Sequence, residues 1–159
     1  PARDPDKARA LGIPVPLWRR LQQGETVEGF FPQQVLGPPR RGLKVVYAAD
    51  TRPCGALEQA AREADLLCMD STYPTDDFLD KAKEYGHATC PEAGRPGGKA
   101  RGPRPCLAAK AGVRRLWLTH YSAAVTDPAE GLAAARPFFP DAEAGCDGMQ
   151  TRLNFDQDS

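Results

Sequence analysis

The stretch LKVVYAADTRPCGALEQAAREADLLCMD, residues 43–70, decides the fold. Residues 43–48 (LKVVYA) are an apolar, β-branched run that reads as a buried strand. Residues 55–64 (GALEQAAREA) repeat Ala and Leu at i, i+3 and i+4, the spacing of a helix face. Residues 65–69 (DLLCM) form a second strand. Strand, helix and strand in this order make a crossover unit, because parallel neighbours need a long connection between them.

The same rhythm continues downstream. Thr75 is placed to cap a helix over 76–85 (DDFLDKAKEY) that stops at Gly86. A short helix at 107–111 ends at Gly112, and a strand follows at 114–119 (RRLWLT). Asp127-Pro128 opens a helix to about Arg136, and short strands near 142–146 and 150–155 close the chain. Upstream, Asp4-Pro5 starts a helix at 5–11 ended by Gly12, and 16–23 makes a further turn or two before Gly24. Residues 28–42 are rich in Gly and Pro, and PPRRG (38–42) reads as a tight turn into the first strand. The expected class is α/β, a sheet packed by helices.

Composition narrows the function. The chain has 159 residues, 41% apolar and 26% charged, with 21 basic against 21 acidic side chains. That suits one domain with a hydrophobic core and excludes disorder as the main state. No apolar run approaches the roughly 18 residues of a membrane span, and no signal-peptide pattern is present at the start. With no basic excess, nucleic-acid binding must come from a local patch or a metal site. The chain starts at Pro1 with sequence that reads as mid-domain, which points to a piece of a longer protein. Cys54, Cys68, Cys90, Cys106 and Cys146 are odd in number and never paired as C-x-x-C, so reduced thiols are expected rather than a disulfide frame or structural zinc. Residues 94–105 (GRPGGKARGPRP) hold basic residues and no acid; they read as an irregular insertion, or as a basic arm touching phosphates.

Ligands in α/β sheets gather beyond the carboxyl ends of the strands. Asp50 follows the first strand, Asp70 the second, and His120 the third; His87 lies just past the next helix stop, on a loop able to return to that edge. Carboxylates and imidazoles suit a zinc-like ion. Each also has a plainer reading: Asp50 as a turn residue, His120 as a satisfied core histidine, Asp70-Ser71-Thr72 as a capping cluster.

YAADTRPC (47–54), ADLLCMDSTY (64–73), YGHAT (85–89), AGVRRLWLTHYS (111–122) and FFPDAEAGCDGM (138–149) occur in an order that resembles the C-terminal half of ribonuclease Z. Residues 6–27 and 35–47 are similar to that family too, so the resemblance spans nearly everything except 94–105. It implies the C-terminal half of a metallo-β-lactamase αββα sandwich, with one domain portion covering 1–159 and the upstream half missing. It also implies a zinc-dependent endoribonuclease that removes the 3′ trailer of precursor tRNA, a cytoplasmic homodimer holding two zinc ions. Carried over by position, Asp50 matches the family's metal-bridging aspartate, and His120 matches the metal-ligating histidine of T-H-[FY]-S. His87 matches the first residue of H-S-T, a histidine for proton transfer or phosphate stabilisation. Asp70 stands where the family has the Glu that supports it. Ala88 replaces the Ser of H-S-T, and Ala48-Ala49 replaces Ser-Gly. The chemistry implied is in-line hydrolysis of an RNA phosphodiester, with two metals acidifying water and stabilising phosphoryl charge.

The family's H-x-H-x-D-H motif and its tRNA-clasping arm do not occur in this sequence. Two histidines and a few carboxylates cannot close two sites of about four ligands each. The chain alone is therefore expected to be short of metal and inactive. The competing functions are a hydrolase of small esters or sulfates on the same fold, and a non-catalytic interaction half.

Overall fold

The crossover pattern of 43–70 is realised as a sheet in which every pairing is parallel. A computed structural model of the protein describes residues 4–37, 41–94 and 107–155. They fall into two compact units, residues 1–42 and 43–159. The basic stretch 95–105, most of the PPRRG turn and Cys106 lie outside the described residues.

In the first unit, α1 (Pro5–Ala10) starts as the sequence predicts, with Asp4 Oδ1 accepting the backbone N–H groups of Asp6 and Lys7 at 3.1 and 3.0 Å. Helix α2 (Trp18–Gln22) follows a 3₁₀ turn. Ala8, Ile13, Trp18, Leu21 and Val35 form a small core, and the Trp18 indole N–H is satisfied by the Ile13 carbonyl at 2.9 Å.

In the second unit the order is β1 (Val45–Ala48), α3 (Gly55–Ala61), β2 (Leu66–Asp70), α4 (Leu79–Tyr85), α5 (Cys90–Gly94), α6 (Leu107–Lys110), β3 (Leu116–Thr119), α7 (Pro128–Ala135) and β4 (Ala142–Ala144). The sheet order is β1-β2-β3-β4, all parallel. Register places Val46, Leu67, Leu116 and Ala142 in one row and Ala48, Met69, Leu118 and Ala144 in the next. Most of these side chains, Leu67, Met69, Leu116 and Leu118 among them, share a core with Ala61, Ala93, Ala108 and Ala135 of the helices. Each fully buried Leu or Met contributes about 1.5–3 kcal/mol by leaving water. The opposite sheet face is less covered: Val45 is 56% and Tyr47 73% exposed.

Helix α7 meets α5 at Gly131, where a β-carbon would collide with Cys90 Sγ. That contact explains a glycine inside a helix, which otherwise costs about 1 kcal/mol against alanine.

Three local expectations change. The segment 90–94, read as irregular, is helix α5, begun by Thr89 Oγ1 accepting the Glu92 N–H at 3.2 Å. Thr75 does not cap with its side chain; its hydroxyl donates to Asp77 Oδ2 at 3.1 Å and a 3₁₀ turn (Asp76–Phe78) precedes α4. Residues 150–155 form no strand: the chain turns at 146–149, and the Thr151 hydroxyl accepts from the Arg115 guanidinium instead of the backbone joining a ladder.

Candidate metal and phosphoester site

Because all the strands run the same way, their carboxyl ends share one rim. Register pairs Ala48 with Met69 and Asp70 with Thr119, so the chain crosses that rim at Asp50, Asp70 and His120. Asp50 (φ 54°) and His120 (φ 61°) both adopt the left-handed conformation there. L-residues enter that region at a cost of about 1–2 kcal/mol, with Asp and His among the better tolerated. Strain of this kind concentrates at functional positions.

Asp70 is the hub, fully buried at 0% exposure. Its Oδ1 accepts the Thr72 N–H and hydroxyl, both at 2.9 Å, and the Ala88 N–H at 3.2 Å. Its Oδ2 accepts the Thr51 N–H at 3.1 Å and pairs with His87 Nδ1 at 3.0 Å, with His120 Nδ1 at 3.4 Å. Burial alone would raise this carboxyl, but the His87, Thr72 and Ala88 hydrogen bonds outweigh it and hold Asp70 below its ordinary value of 3.8.

These contacts orient both imidazoles. With Asp70 facing each Nδ1, the Nδ1–H tautomer is favoured and each Nε2 keeps its lone pair. Neither Nε2 has a hydrogen-bond partner among the described residues. The rings stand 5.3 Å apart, centroid to centroid. Asp50, with its side chain 74% exposed, also approaches His87, with Oδ1 3.5 Å from the same Nδ1. Asp50 and His120 thus both lie close to His87 at one rim.

Ligand atoms of Asp70, His87 and His120 lie within 4.8 Å of one another, a set of carboxylate and imidazole donors that suits a zinc-like ion. Asp70, however, spends its roughly four lone-pair positions on protein donors. The open donors are the two Nε2 atoms and the exposed Asp50 carboxylate, with Asp70 fixing the rings from behind as carboxylates do for metal-bound histidines.

Two contributors were not singled out from sequence. Thr72 bridges the hub, with its hydroxyl 3.1 Å from His120 Nδ1 and 3.0 Å from the His120 carbonyl; its position beside Asp70 had suggested capping only. Arg52 clamps the His87 carbonyl and Glu92 Oε1, both at 2.6 Å. An arginine two residues after Asp50 was the available signal. The His87 and His120 rings line a cleft of about 490 Å³.

No protein-family model matches the chain. Curated proteins do. Ribonuclease Z of Lachnospira eligens is 38% identical over 159 residues, covering 98% of this chain and 49% of that protein. Ribonuclease Z of Salinibacter ruber is 44% identical over 146 residues, 88% of this chain and 42% of that protein. The chain therefore spans about half the length of the curated relatives it matches. Among solved structures, the metallo-β-lactamase fold protein YhfI from Bacillus subtilis is 20% identical with a TM-score of 0.49, covering 78% of this chain and 56% of that one.

Proposed function

We propose that this chain, a sequence relative of ribonuclease Z along nearly its whole length, is the C-terminal portion of a zinc-dependent endoribonuclease that removes the 3′ trailer of precursor tRNA. The observation that carries the reading is the shared rim: parallel strands bring Asp50 and His120 close to His87, with both imidazoles held against buried Asp70.

Asp50 and His120 hold the metal ions, and the donor set fits them: an exposed carboxylate and an imidazole whose Nε2 is unengaged. When bound, the ions supply Lewis-acid stabilisation of charge on the phosphoryl oxygens and lower the pKa of water. His87 holds or moves a proton at Nε2 beside the phosphate, and Asp70 fixes its orientation and stabilises the imidazolium. With only two histidines in the chain, the remaining ligands come from the part of ribonuclease Z that this chain does not span. That part also covers the sheet face carrying Val45 and Tyr47, completing the αββα sandwich. No described helix is long and apolar enough to cross a membrane, and a cytoplasmic homodimer acting on tRNA accords with the family resemblance.

The test is cleavage of precursor tRNA by the full-length protein carrying this sequence. Release of the 3′ trailer, abolished by a chelator and restored by zinc, supports the reading. Hydrolysis of aryl esters or sulfates with precursor tRNA left intact would point to a small-molecule hydrolase and overturn it.

A further inference from the structure

Two clefts meet at one lysine. Lys81 on α4 lines both the 490 Å³ cleft holding His87 and His120 and a neighbouring cleft of about 300 Å³. Of the carboxylates on its own helix and the preceding turn, Asp80 pairs with Lys83 at 3.1 Å, Asp77 accepts from Thr75 and Asp76 accepts from Thr89, while Glu84 lies three residues further along the helix. Lys81 itself makes no ion pair among the described residues. Tyr73 also lines both clefts. Its ring stacks on Phe78, at 5.8 Å and 12° between planes, and meets His87 edge-on at 6.4 Å. Phe78 keeps 40% of its surface exposed beside the smaller cleft.

We propose that this junction is a nucleotide subsite. It holds the single-stranded RNA residue next to the phosphodiester being cut, with a phosphate on Lys81 and the base against the Tyr73–Phe78 pair. The assignment rests on the endoribonuclease reading above and adds to it where the substrate chain leaves the histidines.

Charge sorts the two halves of the nucleotide. The smaller cleft is bordered by Asp127 and Glu130, which repel phosphate but can accept base N–H groups. The larger one presents two imidazoles and, with Lys81, a cation that makes no ion pair among the described residues. Stacking platforms beside a basic side chain are the recurrent means of holding single strands, and they tolerate any base because every base has a π-face. A volume of about 300 Å³ is room enough for one base.

The experiment uses the full-length protein and a single-stranded RNA hexanucleotide containing iodouridine. Photocrosslinking, mapped by mass spectrometry, is expected on Tyr73 or Phe78. By anisotropy, Lys81→Ala should weaken binding about fivefold to tenfold and reduce the salt slope of log K by about 0.7, the share of one phosphate contact on a single strand. Lys81→Arg should keep both. Crosslinks confined to other elements, or a Lys81→Ala protein with unchanged affinity and slope, overturn the subsite. Crosslinking at Tyr73 or Phe78 by a protein that leaves precursor tRNA uncut supports the subsite and overturns the tRNA-processing reading alone.

Discussion

Asp70 Oδ2 lies 3.0 Å from His87 Nδ1 while the same carboxylate accepts hydrogen bonds from Thr51, Thr72 and Ala88. One buried anion therefore sets both a ring orientation and the path of the surrounding loops. Asp70→Asn keeps the shape but turns one oxygen into a donor facing other donors. It should destabilise the fold by about 2–4 kcal/mol in urea titrations. Nitrogen chemical shifts of the His87 and His120 rings should move away from the Nδ1–H tautomer. Unchanged ring shifts would show that Asp70 does not govern the tautomers.

Metal loss should separate the rim residues. In the full-length protein, His120→Ala and Asp50→Ala should lower zinc content measured by atomic emission. His87→Ala should retain the metal and slow precursor cleavage by about 10²–10⁴, the usual scale for a lost proton-transfer group. Equal loss of zinc from all three variants would merge the roles assigned to them.

Arg52 joins the loop after β1 to the segment carrying His87, through the His87 carbonyl and Glu92. Neither contact touches the reacting atoms, so Arg52 is a positioning residue. Arg52→Ala should reduce kcat about tenfold or more with KM little changed, since sub-ångström misplacement is enough to slow an oriented reaction. Arg52→Lys should not recover it, because a single ammonium cannot serve both acceptors with fork geometry. Full recovery by lysine would reduce the clamp to a simple charge effect.

At Gly131, helix propensity and packing oppose each other. Alanine is the better helix former by about 1 kcal/mol, yet its methyl would strike Cys90 Sγ. Gly131→Ala should lower stability by about 1–3 kcal/mol, the range for overpacking. Adding Cys90→Ala should recover much of it, and the melting temperatures of both variants decide the matter.

Burial pushes the Cys90 thiol up from 9.0 to about 12, and burial likewise pushes the Tyr121 phenol up from 10.0 to about 12. Both groups are neutral in the fold and ionise more readily once unfolded. The unfolded chain thus loses protons first, and stability falls as pH rises from about 9 toward 12. Alkaline titration of the melting temperature should show that decline, weakened in Cys90→Ala and Tyr121→Phe. At pH 8 iodoacetamide should modify exposed Cys54 and Cys146 and spare buried Cys68 and Cys90; rapid modification of Cys90 would contradict its burial.

The sheet was legible because its strands are apolar runs, and β2 is buried at every position as such a run implies; β1, read as a buried strand, instead leaves Val45 and Tyr47 exposed on the less covered face. The rim was legible for the same reason: polar residues at the ends of such runs must emerge together once the strands are parallel. Helix α5 was not, since its five residues CPEAG give too short a window for periodicity, and its start depends on Thr89 and Glu92 pairing across the turn. The closing strand at 150–155 was misread because alternation in QTRLNF resembles a strand, while the Thr151–Arg115 contact ties the segment down by its side chain. The hub role of Asp70 needed three dimensions: its partners are spread from Thr51 to His120 in sequence.

The positive φ values at Asp50 and His120 place a condition on these positions that is independent of catalysis. A library selected only for a folded product should return Gly, Asn and Asp there and reject Val, Ile and Thr. A gene copy released from the proposed endoribonuclease role would then erode first to Asn or Gly at these corners, keeping its architecture while losing the donors proposed for metal.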